Sequence, residues 1–191
     1  SSISSATSAS VSAAASPAPA SAPARSPNAP VLGNPQGDIT LTEFFDYNCG
    51  FCRKMLPTMA KLIEADPKLR VACRELPVFG EGSYFAARAA LASQGQGRYW
   101  DFHRALMSMR GQADEASVMA TARRIGLDAG RLRNDMEADW IVDHLATSLE
   151  LADHMSLIGT PSFIAGDEAV FGQKSLQDLQ ALVARGRETL R

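Results

Sequence analysis

The sequence predicts an α/β domain on three observations: a strand, a helix and a strand in succession from residue 39, a long helical block between about 83 and 157, and a hairpin with a closing helix after it. GDITLTEFFDY follows the turn signal NPQGD and is rich in β-branched and aromatic residues, so a strand is expected over roughly 39 to 46. Alternation places Ile39, Leu41, Glu43 and Phe45 on one face, which sets a carboxylate among apolar neighbours. CGFCRKMLPTMAKLIEA then carries Met55, Met59 and Leu62 at helical spacing, with Pro57 as an internal kink. Cys49 and Cys52 therefore occupy a strand-to-helix junction.

LRVACRELPVF, 69 to 79, is the second strand, and the single helix between the two makes a βαβ unit with a parallel pair. Cys73 alternates with Val71 on it and reads as a small buried core residue. The block from Ser83 to Leu157 divides into helical segments, of which YWDFHRALM holds a packed histidine, His103. The last segment repeats Ile141, Leu145, Leu149, Ala152 and Met155 at helical spacing, an apolar stripe. SFIAG and EAVFG form a hairpin turning at Gly166 and Asp167, and Ser175 caps a final helix.

Composition excludes several roles. At 191 residues and 46% hydrophobic the chain can build one core of ordinary size. A net charge of -2 without any run of Lys or Arg offers no footprint for nucleic acid or an anionic membrane. No stretch approaches the length of apolar sequence a membrane span needs, and the first residues lack the charged and apolar regions of a signal peptide. Residues 1 to 29 contain ten Ser, ten Ala and four Pro, with Arg25 the only charge, so a disordered tether is expected there and the folded domain over 30 to 191. The tether reads as a flexible tail or as a spacer from a membrane; without a heptad or amphipathic pattern it favours a monomer.

The pair of cysteines is best explained by redox chemistry. A disulfide across a Cys-X-X-Cys turn closes too small a loop to stabilise a fold much. Zinc needs further ligands, and His103, His144 and His154 show no finger-like spacing, so no metal site is expected. At a helix N-terminus, by contrast, unsatisfied N–H groups and the helix dipole stabilise the Cys49 thiolate, with Arg53 and Lys54 as added positive charge. Cys49 would then attack, and the shielded Cys52 would resolve the mixed disulfide.

EFFDYNCGFC, the helix with its Pro57, the helical block and GTPSF at 159 to 163 together resemble the DsbA-like branch of the thioredoxin superfamily, over roughly Val31 to the C-terminus. The resemblance implies a thioredoxin fold with an inserted helical domain over about 83 to 157. It implies a periplasmic or secreted thiol-disulfide oxidoreductase without metal or organic cofactor. Its partners would be unfolded or misoxidised exported polypeptides and a membrane redox partner. It makes Cys49 the nucleophile, Cys52 the resolving thiol, Pro161 a cis-proline beside the disulfide with Gly159 and Thr160 before it, and Glu43 the buried acid that moves a proton to or from Cys52.

Direction rests on the dipeptide Gly50-Phe51 and on Thr160, which help set the potential. Donor-type oxidases of the family typically carry Pro-His and Val at those places. Gly-aromatic with Thr is similar to the isomerase-like members and to Scs-type proteins linked to copper tolerance. Oxidase, isomerase and reductase directions all stand, beside two readings of another class: a metallochaperone holding Cu(I) on two thiolates, and a redox-inactive chaperone using an apolar groove alone.

Overall fold

The strand expected at 39 to 46 is the centre of the sheet. In a computed structural model, which describes residues 29–190, β1 (Val31–Gly33), β2 (Ile39–Phe45), β3 (Leu69–Glu75), β4 (Ser162–Ala165) and β5 (Glu168–Phe171) form one sheet in the order β1-β3-β2-β4-β5. β2 and β3 run parallel in register Ile39↔Leu69 to Phe45↔Glu75, and every other pair is antiparallel. The tether expected over 1 to 29 lies, apart from Ala29, outside the described residues.

The crossover between β2 and β3 is α1 (Gly50–Ala65), continuous through Pro57, which buries Cys52, Met55, Met59 and Leu62. Three apolar side chains on one stripe are worth roughly 1.5–3 kcal/mol each when fully buried, enough to hold the helix against the sheet. Between β3 and β4 lie α2 (Glu81–Ala92), α3 (Tyr99–Met107), α4 (Glu115–Arg124), α5 (Ala129–Asp135) and α6 (Asp139–His154). This is the expected helical block. The hairpin turns at Gly166, whose φ of 60° suits glycine, and Asp167. Ser175 starts α7 (Leu176–Thr189) with a capping box to Asp178.

Three details differ from the sequence reading. β1 was not foreseen, because three residues are too few to display alternation. β3 ends at Glu75 rather than 79: Pro77 has no N–H, and the amides of Val78 and Phe79 turn away to the Asp46 carboxylate. On α6 the stripe breaks, with Leu149 52% exposed and His144 and Ser148 buried in its place. Both side chains bond β3: Ser148 Oγ accepts from Nε of the fully buried Arg74 at 3.0 Å, and His144 Nε2 accepts the Glu75 amide at 3.3 Å, while the His144 backbone carbonyl takes Arg74 Nη2 at 2.9 Å. A buried guanidinium and a strand-end amide need acceptors, and two helical positions supply them.

Candidate active site

Cys49 is the N-cap of α1. Its backbone is extended (φ −85°, ψ 115°), so the side chain folds back over the first turn and Sγ accepts from the Cys52 amide at 3.3 Å. Cys49 and Cys52 are free thiols, both buried. The Cys49 thiol is lowered to about 6, by its hydrogen bond with the Cys52 thiol first, and also by the Thr160 side chain and the backbone of Cys52 and Phe51, against the opposing effect of burial. The Cys52 thiol is pushed far up, chiefly by burial and by hydrogen bonding to Cys49, with the nearby charges of Cys49 and Glu43 adding to it. One sulfur is thus prepared as a thiolate and its neighbour is held as a thiol.

The positive charge expected from Arg53 and Lys54 is used elsewhere. Arg53 donates to the carbonyls of Tyr47 (2.7 Å), Met109 (3.0 Å) and Gly111 (2.8 Å), and Lys54 Nζ lies 5.5 Å from the Phe51 ring centre. Hydrogen bonds, rather than cationic side chains, lower the Cys49 thiol.

Across the site the Thr160–Pro161 peptide is cis, and the Thr160 carbonyl lies 3.5 Å from Cys49 Sγ although 111 residues separate the two. Gly159 packs under the Phe171 ring, where a Cβ would come within 3.2 Å of a ring carbon. Gly50 and Phe51 stand at the exposed mouth, Phe51 with 56% of its surface open.

Glu43 sits on β2 with 5% exposure, opposite Cys73 on β3 and Phe163 on β4. Burial raises its carboxyl to about 8, and the charge of Cys49 adds to the rise. Cys73 is buried, and its thiol is pushed up by burial and by Glu43 and Glu75. His103 is a packed histidine, drawn down to about 3 by burial. The structure thus brings Cys49, Cys52, Glu43 and the Gly159–Pro161 turn into one place and leaves Cys73 and His103 in the core.

Several functional residues escaped the sequence reading. Asp46 and Asn48 organise the turn before Cys49: the Asn48 amide donates to Asp46 Oδ1 at 2.7 Å, and the Asn48 side chain pairs with Ala113 through both its atoms (2.7 and 3.0 Å). An Asp closing a strand two residues before an Asn is a turn signal that could have found them. Glu75 is a second buried acid, whose Oε1 accepts from Tyr47 Oη (3.1 Å) and Tyr99 Oη (3.0 Å). Beside the cysteines lies a groove of about 720 Å³ lined by Phe51, Val78, Phe79, Leu149, Ile158 and Phe171, each at least 43% exposed. Among the described residues no three His, Cys, Asp or Glu side chains converge to hold a metal ion, and no helix is long and apolar enough to cross a membrane.

Residues 40–184 match the model of the DSBA-like thioredoxin domain. Among solved structures, a thioredoxin-like oxidoreductase from Silicibacter pomeroyi DSS-3 is 49% identical with a TM-score of 0.86, covering 88% of this chain and 97% of that one. The thiol-disulfide exchange protein alpha-DsbA2 from Wolbachia pipientis is 29% identical with a TM-score of 0.77, covering 82% and 86%. Among curated proteins, the Na(+)/H(+) antiporter NhaA 1 of Salinispora arenicola is 28% identical over 155 residues, 80% of this chain. The chain spans about a quarter of the length of that antiporter relative. The chain belongs to the DSBA-like thioredoxin domain family, with a helical block inserted in a thioredoxin fold and the CxxC motif of thiol-disulfide oxidoreductases.

Proposed function

We propose that the protein exchanges disulfides with extended, exported polypeptides through Cys49 and Cys52, in a periplasmic or secreted setting where a membrane redox partner resets the pair. The observation that carries the reading is the Cys49 sulfur itself, held at a helix N-cap 3.3 Å from the Cys52 amide and opening into an apolar groove. The Cys49 thiolate attacks a substrate disulfide, forming a mixed disulfide and expelling one substrate sulfur as thiolate. Cys52 then gives its proton to the Glu43 carboxylate and attacks the Cys49 sulfur, which releases the second substrate thiolate and leaves a Cys49–Cys52 disulfide. In the oxidising direction the order reverses, and the Glu43 carboxylic acid returns the proton to the departing Cys52 sulfur. Two sulfurs carry both electrons, so the step uses no cofactor.

Gly159 and Thr160 line the groove beside Cys49, and the groove accepts the apolar side chains of an extended substrate. Thiolates of CxxC proteins range from roughly 3.5 in strong oxidants to 7 in reductants. A lowered Cys49 thiol both attacks and leaves readily, so it supports rearrangement as well as oxidation. Equilibration of the pair in glutathione buffers, run beside refolding of a scrambled disulfide protein, tests this. An intermediate potential with refolding activity is the expected result; a pair that never equilibrates with glutathione contradicts the exchange reading.

A further inference from the structure

The groove beside Cys49 has three sides. Leu149 and Ala152 of α6 make one, Ile158, Gly159, Thr160 and Phe171 a second, and Val78 and Phe79 the third, on the irregular stretch between β3 and α2. That stretch is tied at its start by Leu76, which is 3% exposed and donates its amide to the Phe45 carbonyl at 2.9 Å, but it has little to hold it beyond that. Val78 and Phe79 are 48% and 56% exposed, too open for packing to fix them, and Pro77 before them has no N–H.

Both of their amides end on one atom. Val78 N and Phe79 N donate to Asp46 Oδ2 at 2.7 and 3.1 Å. The other carboxylate oxygen, Oδ1, accepts from Asn48 N and from Ser83 Oγ, each at 2.7 Å. Asp46 is 1% exposed, and its backbone carbonyl accepts the Cys49 amide at 3.1 Å. A single side chain therefore ties together the end of β2, the turn that carries Cys49, the start of α2 and the free-standing wall of the groove. A carboxylate is the right group for the place, because only an acceptor without protons of its own can serve four donors at once.

We infer that Asp46 is a positioning residue for substrate: it holds the Val78–Phe79 wall at a set distance from the Cys49 sulfur, so that an apolar polypeptide is presented to the thiolate. The inference rests on reading the groove as a polypeptide site. Asparagine at this position keeps one acceptor oxygen and brings an NH₂ against incoming N–H donors, so the wall or the turn loses its partner. Bound peptide then loses its wall. A small disulfide, which reaches Cys49 without touching Val78 or Phe79, loses only what the Cys49 turn contributes, and the peptide loses that and its wall.

The test compares full-length wild type and Asp46→Asn with two probes, a peptide disulfide flanked by leucine and phenylalanine, and oxidised glutathione. The expected result is a rise of about tenfold in KM for the peptide with kcat within about threefold, and a fall of about tenfold in selectivity for peptide over glutathione. Amide hydrogen exchange reads the anchor directly: Val78 and Phe79 are protected in wild type and lose protection in the variant. An unchanged peptide KM, or equal losses on both probes, overturns the inference. Where Asp46→Asn does not fold, Ser83→Ala, which removes one of the four donors, carries the test: selectivity for peptide falls by about twofold or more, and unchanged selectivity overturns the inference. Wild type that exchanges with neither probe, while Val78 and Phe79 stay protected, refutes the function and leaves the anchor standing.

Discussion

Glu43 and Glu75 lie on the same buried face of the sheet, one on β2 and one on β3, and burial raises the carboxyl of both. Their surroundings differ. Glu75 is held by the Tyr47 and Tyr99 phenols, and Tyr47 in turn meets His103 Nδ1 at 2.9 Å, so this acid joins β3, α3 and the turn before Cys49. Glu43 faces thiols instead, with Cys73 opposite it in register and its charge felt at Cys52. Burial alone therefore says little about the role of an acid. One glutamate joins elements of the fold; the other is a cost to stability, and in the proposed exchange it is the group that moves the Cys52 proton.

Kinetics gives the widest separation between the two. Glu43→Gln is expected to slow exchange by about 10- to 100-fold near neutral pH with the fold intact, because the proton of Cys52 loses its acceptor, while Glu75→Gln stays within about threefold. Stopped-flow exchange with a peptide disulfide measures both, and a rate for Glu43→Gln that matches wild type from pH 6 to 9 removes Glu43 from the chemistry.

Stability should separate them in sign. Glu75→Leu takes the carboxylate from two buried phenols, leaving Tyr99 without its acceptor and Tyr47 with His103 Nδ1 alone, and is expected to cost about 2–4 kcal/mol. Glu43→Leu removes a desolvated carboxyl from a site without a matching partner and should raise stability at neutral pH by roughly 1–3 kcal/mol. Urea unfolding of the two variants checks the signs; a loss at both positions breaks the comparison.

A subtler contrast appears with pH. Glu43 is raised from 4.5 to about 8, so the folded state binds more protons than the unfolded one in that window, and its contribution to stability falls as pH rises through it. Cys49 is lowered from 9.0 to about 6, so its contribution in the reduced protein is full above the unfolded value and is lost as pH falls through about 6. The two slopes oppose one another between about pH 6 and 8. Reduced wild type should be nearly flat there, Cys49→Ala should lose stability with rising pH, and Glu43→Gln should gain it. Parallel profiles in all three proteins contradict the assignment of these shifts.

The smallest effect belongs to the mouth of the groove. Phe51 is 56% exposed, and Phe51→Ala should raise the KM for an apolar peptide by about two- to threefold without moving the Cys49 titration. A shifted titration would mean that Phe51 acts through more than its backbone amide.

Much of this was legible in the sequence where a local pattern carries it. Alternation in ITLTEFF set Glu43 among apolar residues, and Cys49 at the strand-to-helix junction implied an N-cap sulfur. Asp46 was not legible as an anchor, because Val78, Phe79 and Ser83 reach it only once the chain has folded. The Glu75 cluster stayed hidden for the same reason, since Tyr47, Tyr99 and His103 arrive from separate elements. Arg53 shows the converse error. Its place one turn along from Cys49 suggested a charge for the thiolate, yet three backbone carbonyls claim its guanidinium.

Exchange depends on a Cys49 thiolate made stable by hydrogen bonds at the start of α1. Ultraviolet titration of the reduced full-length protein, with Cys49→Ser as the blank, tests it most directly. One thiolate should appear with a midpoint of about 6 and vanish in Cys49→Ser. A midpoint at the ordinary thiol value of about 8.5, or a signal that survives the substitution, contradicts it.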